Sequence, residues 1–117
     1  MKVTEEIRNF KAESISAGGV EELKEASREA RVWAVVATAA AKSGHPAGAL
    51  SSMDIYMTLL GAANVTPALA DSPERDRIVV SHGHTSAGFY AALAAYGFFP
   101  VHEMAANFRR AGSPYQG

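Results

Sequence analysis

Ten residues in a row, V-W-A-V-V-A-T-A-A-A at 32–41, carry no charge and a single hydroxyl. The run is far short of the roughly 20 residues a membrane span needs, so protein must cover it. It is the second half of a stretch, 20–42, in which Leu23, Ala26, Ala30, Trp33, Ala34 and Ala37 recur at helical spacing. The spacing predicts one long helix. Its first half reads as amphipathic, with Glu21 and Lys24, and Glu25 and Arg28, set for i,i+3 pairs on a wet face. Its second half is apolar nearly all round and is expected to be buried all round. Lys42 suits the negative end of the helix dipole, and Gly44 suits the left-handed position that stops a helix. The helix then runs out into K-S-G-H-P-A-G (42–48), where a histidine fixed by a proline sits between two glycines. Packing does not require His45, whereas a binding site would. Turn chemistry alone explains the glycines and the proline, so a helix-stop loop with an incidental histidine stands as the plain alternative.

The rest of the chain supplies few further elements. Residues 1–19 read as an N-terminal arm, partly helical, with Gly18-Gly19 expected to end any helix there. Pro46 biases His45 away from helical angles. A second helix is expected to start between Ala49 and Ser52, with Ser51 or Ser52 as its N-cap and Leu50, Met53, Ile55, Tyr56, Leu59 and Leu60 as a broad apolar face. A charged loop (68–77) leads to R-I-V-V-S (77–81), a short β-branched run that reads as a buried strand. The loop S-H-G-H-T-S (81–86), an apolar helix (87–96) and an amphipathic helix (101–111) complete the chain. Helix, helix, strand, helix, helix predicts an α/β class with a mainly parallel sheet, helix-rich in this segment. One strand is not a sheet, so the chain is expected to pack against other chains or to begin something longer.

Composition narrows the partners. A formal net charge of −1 with no basic stripe argues against nucleic acid, and no segment argues for a membrane. The absence of cysteine removes disulfides, thiolate metal sites and cysteine nucleophiles, and fits a cytoplasmic protein. The first residues have no apolar core of the kind a secretory signal needs.

The strongest chemical signal is strand, H-G-H-T-S, helix. In open α/β sheets ligands sit beyond the carboxyl ends of strands, and helix N-termini offer free N–H groups to anions. Gly83 allows close backbone approach, Thr85 or Ser86 can cap the helix or donate a hydroxyl, and His84 is placed to donate to a phosphate oxygen. The plain alternative is a capping or solvent-exposed histidine. A third reading joins His82, His84 and His45 as metal ligands, although no carboxylate or fourth histidine has matching spacing. His102 reads as structural.

Two of these motifs carry a resemblance. K-S-G-H-P-A-G-A-L-S-S-M-D-I-Y resembles the N-terminal S-G-H-P motif of the transketolase family, and R-D-R-I-V-V-S-H-G-H resembles that family's R-D-R-strand-S-x-G-H segment. F-R-R-A-G-S-P-Y-Q-G resembles the approach to a further G-H-x-E motif, so the likeness covers about 24–117. Deoxyxylulose-phosphate synthases usually read G-G-H-L-G at the first motif, so S-G-H-P favours transketolase.

The resemblance implies a thiamine-diphosphate fold in which 20–117 begin the diphosphate-binding domain. It implies transfer of a two-carbon ketol unit between sugar phosphates of the pentose phosphate type, with the cofactor as electron sink. The roles it carries over are substrate contact and proton or oxyanion chemistry for His45, and diphosphate contact for His84. It carries none to His82. Mg2+ or Ca2+ ligands, the G-D-G motif, the next catalytic histidine and the pyrimidine-binding domain are expected outside these residues. So are the partners: the remainder of the N-terminal domain and a C-terminal domain or subunit, in a hetero-oligomer of split type. The rival readings are a non-catalytic binding or regulatory module, or another thiamine-diphosphate enzyme such as a phosphoketolase or a deoxyxylulose-phosphate synthase.

Overall fold

The computed structural model describes all 117 residues, and they form helices and loops only. In chain order these are α1 (Val3–Ile7), α2 (Ala17–Ala41), α3 (Pro46–Ala62), α4 (Ser86–Ala95) and α5 (Val101–Asn107), with short turns at Arg8–Phe10 and Pro67–Leu69. The expected α/β class with a parallel sheet is therefore overturned. Residues 77–81 carry no regular secondary structure, and the chain has no strand to lie alongside them. A strand exists only within a ladder, and none of the backbone groups of these five residues pairs with another backbone group. The predicted buried segment is only half-buried: Ile78 and Val80 pack against the core, while Val79 is 88% exposed.

The core lies where α2, α3 and α4 meet, with α5 closing one side of α2. Helix α2 faces it through Leu23, Ser27, Ala30, Ala34, Ala37 and Thr38, a stripe at three- and four-residue spacing. Half of those side chains are alanine, which lets the helices approach closely. Bulk comes from Met53, Met57, Leu60, Met104 and Phe108, each almost fully buried and each stabilising by roughly 1.5–3 kcal/mol. The second half of α2 is not covered all round as its composition suggested. Val32, Val35 and Val36 are 51%, 44% and 40% exposed, because three short helices can enclose only one side of a 25-residue helix.

Local chemistry sets the ends. Gly18-Gly19 does not stop a helix; it starts one. Ser16 caps α2 by accepting from the Gly19 N–H at 3.1 Å, and Glu6 in turn accepts from the Ser16 hydroxyl at 2.8 Å. A Cβ on Gly19 would lie 2.8 Å from Ile15 and 2.9 Å from Val3, so close packing of the arm explains that glycine. The arm is tied down further by Glu22, which accepts from the backbone N–H groups of Lys2 and Val3, both at 2.7 Å. At the far end of α2 the left-handed residue is Lys42 (φ 51°), two residues before the glycine expected to fill that position. Both predicted ion pairs form, Lys24–Glu21 at 2.8 Å and Arg28–Glu25 at 2.6 Å.

Helix α3 begins at Pro46, three residues before the predicted start, with His45 in an extended conformation before it. Proline in the first helical turn sacrifices no hydrogen bond, which explains the early start. Neither serine caps it: Ser51 donates to the Gly48 carbonyl at 3.1 Å, and Ser52 turns toward His82. At its C-terminal end α3 is closed by Arg8, whose Nη1 donates to the carbonyls of Leu60, Ala63 and Val65. Asp54 pairs with Arg31 at 2.9 Å, which holds its carboxyl below the usual range and links α2 to α3. Tyr96 donates to the Met57 carbonyl at 2.6 Å, and burial pushes its phenol up to about 12, so it stays a donor at neutral pH. No helix is long and apolar enough to cross a membrane.

Candidate functional site

Two helix starts bring the singled-out histidines together. Helix α3 is preceded by His45 and helix α4 by His84-Thr85, and the two helices meet at their first turns. Gly88 of α4 packs directly on Ala49 of α3: a Cβ there would lie 2.8 Å from the Ala49 Cβ and 2.9 Å from its Cα and O. Gly48 makes a second such contact, its Cβ position 3.1 Å from the Thr85 methyl. With both helices pinned so close to their origins, His45 and His84 face each other edge-on, ring centroids 4.5 Å apart. They line one cleft of about 350 Å³.

The H-G-H loop is held from beneath by α3. The Ser52 hydroxyl and His82 Nδ1 are 3.1 Å apart. Thr85, only 2% exposed, donates its hydroxyl to the His82 carbonyl at 2.8 Å, so the buried Tyr56 hydroxyl is left to donate to Thr85 Oγ1 at 2.7 Å. The relay Tyr56–Thr85–His82 therefore fixes the carbonyl two residues before His84. His84 itself takes a left-handed backbone (φ 64°), which costs a non-glycine residue of order 1–2 kcal/mol and persists only where the surroundings impose it. Sequence reasoning offered Thr85 as a helix cap; it makes no cap bond and serves the loop instead. Tyr56 and Ser52 were read as core face and cap, because nothing local in the sequence marks a contact to a loop about thirty residues on.

Replacing Thr85 with valine leaves both the Tyr56 hydroxyl and the His82 carbonyl without partners. The expected loss is about 2–3 kcal/mol in chemical denaturation. Tyr56→Phe removes one donor only and should cost about 1 kcal/mol. The reverse order of effects would show that the relay does not hold the loop.

The cleft suits an anion. None of its lining residues is acidic, while His45, His82, His84 and Arg109 all border it. The backbone N–H groups from Gly83 to Ala87 have no acceptor within the chain. Such a run of unpartnered amides at a helix start, beside histidine donors, fits a phosphate or diphosphate. Nothing in the geometry favours the metal reading of His45, His82 and His84. No group of three or more potential ligands converges anywhere in the chain, and His82 Nδ1 is turned toward Ser52. His102 stands apart, edge-on to Trp33 at 4.7 Å.

A family model described as the thiamine diphosphate binding domain of transketolase matches residues 23–117. The chain belongs to the transketolase family. Mouse transketolase (Mus musculus) is 35% identical over 96 residues, 81% of this chain and 15% of that protein. Transketolase of Scheffersomyces stipitis is 36% identical over 87 residues, 74% of this chain and 13% of that protein. A 6-deoxy-6-sulfo-D-fructose transketolase subunit, SqwG, of a Clostridium species is 38% identical over 71 residues, 60% of this chain and 26% of that protein. The chain thus corresponds to only a small part of the length of these relatives. No solved structure matches it significantly. Both histidine motifs of this transketolase-family chain, at 43–46 and 81–84, lie inside the matched residues.

Proposed function

We propose that this chain forms part of a transketolase that moves a two-carbon ketol unit between sugar phosphates, acting only when joined to the sequence its relatives have in addition. The observation that carries the reading is the cleft itself: two histidines from two helix starts meet 4.5 Å apart over a site lined by no acidic side chain.

In this reading thiamine diphosphate, when bound, supplies the electron sink for cleaving and forming the carbon–carbon bond. His84 donates an N–H to a diphosphate oxygen, and the amides of 83–87 turn their dipoles toward the same charge. His45, at the mouth of the loop and on the opposite side of the ring pair, reaches toward the substrate. There it donates to the oxygen on which negative charge develops, or moves that oxygen's proton. The residues present supply no site for Mg2+ or Ca2+, so the metal is assigned to ligands elsewhere in the assembly. Residues 20–117 are taken as the beginning of the diphosphate-binding domain, preceded by the arm. A relative named as a subunit supports a split, hetero-oligomeric arrangement, which we place in the cytoplasm.

The test is a two-carbon transfer assay with thiamine diphosphate, Mg2+, a ketose phosphate donor and an aldose phosphate acceptor. The 117-residue chain alone is expected to be inactive. Its native complex, confirmed by native mass spectrometry to contain the missing family sequence, is expected to be active. Transfer by the isolated chain, or none by the complete complex, would overturn the proposal.

A further inference from the structure

Arg109 lines the histidine cleft and is its only guanidinium. Its backbone is held in the left-handed region (φ 58°), a conformation that a residue with a Cβ adopts only under constraint. The constraint is visible. The Arg109 N–H donates to the Tyr115 carbonyl at 2.7 Å, and Tyr115 is buried with its ring 5.0 Å from that of Phe99 and 6.0 Å from that of Tyr90. On its other side Phe108 is 2% exposed. Two aromatic anchors therefore bracket Arg109 and fix where its side chain leaves the chain.

Of the other six arginines only Arg77, which lies away from the cleft, also lacks a partner for its side chain. Arg31 is paired with Asp54, Arg28 with Glu25, and Arg8 with three carbonyls. The neighbouring Arg110 donates to Asn107 Oδ1 at 3.3 Å. Arg109 makes no ion pair, and the cleft it borders has no acidic residue to take its charge. A planar guanidinium matches two phosphate oxygens at once, which a histidine cannot do.

The geometry points to Arg109 as an anion contact of this cleft, closing on the same diphosphate that faces His84 and the amides of 83–87. This rests on the proposed cofactor reading and adds a residue to it. The Arg109 side chain is exposed and no group of the chain receives its guanidinium, which leaves it free to meet a ligand.

The test is a titration of the isotope-labelled 117-residue chain with inorganic pyrophosphate, following the amide signals of Gly83 to Ala87 by NMR. Signals outside the loop report that each variant is folded. Arg109→Gln is expected to weaken binding about tenfold and to flatten its salt dependence, and Arg109→Lys to recover part of the loss. Arg110→Gln is expected to leave binding within twofold. If Arg109→Gln binds as the unaltered chain does while His84→Ala weakens binding, the Arg109 assignment is wrong and the cofactor reading survives. Equal weakening by Arg110→Gln would show a diffuse charge effect and also overturn the assignment. If pyrophosphate moves none of the loop signals in the unaltered chain, the cofactor reading falls and the Arg109 contact falls with it.

Discussion

Replacing Gly88 with alanine is expected to destabilise the chain by about 2 kcal/mol, and with valine to abolish the fold. In a helix interior the same change to alanine would ordinarily gain up to about 1 kcal/mol, because glycine is a poor helix former. Here the new Cβ meets Ala49 Cβ at 2.8 Å and its backbone Cα and O at 2.9 Å, and backbone cannot move aside as a flexible side chain would. Overpacking of this kind costs about 1–3 kcal/mol or more, so it outweighs the helical gain. For a domain of this size the alanine variant should melt roughly 10 °C lower. The control is Gly83→Ala, where a Cβ meets nothing within 4 Å and φ is not left-handed, and where the change should stay within about 0.5 kcal/mol. Equal melting of Gly88→Ala and the unaltered chain would mean that α3 and α4 are not in contact here. The contact matters for function because it lies one turn from both His45 and His84. Whatever parts the two helices parts the histidines.

The second large effect concerns His45. Substitution by alanine in the complete assembly is expected to lower kcat by about 10²–10³, the range seen when a single donor to a developing oxyanion is removed. His45 precedes the first turn of α3, in an extended conformation favoured by Pro46, and is exposed; its ring contact is His84. Loss of the side chain should therefore leave the melting temperature nearly unchanged. It should also leave thiamine diphosphate affinity within a few-fold, since in this account the diphosphate is held by the neighbouring loop. Steady-state kinetics alongside a cofactor titration separates the two. An unchanged kcat would remove His45 from the chemistry.

Much of the helical layout was legible because it is local. The period of Leu23, Ala30, Ala34 and Ala37 announced α2, and the ion pairs on its wet face followed from spacing of three. What was not legible depends on distant groups. Gly18-Gly19 reads as a breaker until Ser16 and Glu6 are seen to cap the turn that contains it. The segment 77–81 has the residue types of a strand, yet a strand is a property of two segments, and no other segment pairs with this one. The exposed valines of α2 make the same point: apolar composition states a need for cover and does not supply it. At the cleft, the two histidine motifs stood out by residue type, and their meeting edge-on could not, since it depends on glycine-to-alanine contact between two helices. Tyr56 and Arg109 fall within segments that carry the family resemblance, but nothing in their local sequence shows that the first reaches Thr85 or that the second borders the cleft.

The central claim is that this histidine cleft holds the diphosphate of thiamine diphosphate. The most direct measurement is the equilibrium dissociation constant of the cofactor for the complete assembly, by calorimetric titration, with and without His84→Ala. One charge-assisted hydrogen bond is worth about 1.5–3 kcal/mol, so the variant should bind about 10–100-fold more weakly while melting as the unaltered protein does. Cofactor binding of equal strength in both proteins would contradict the account.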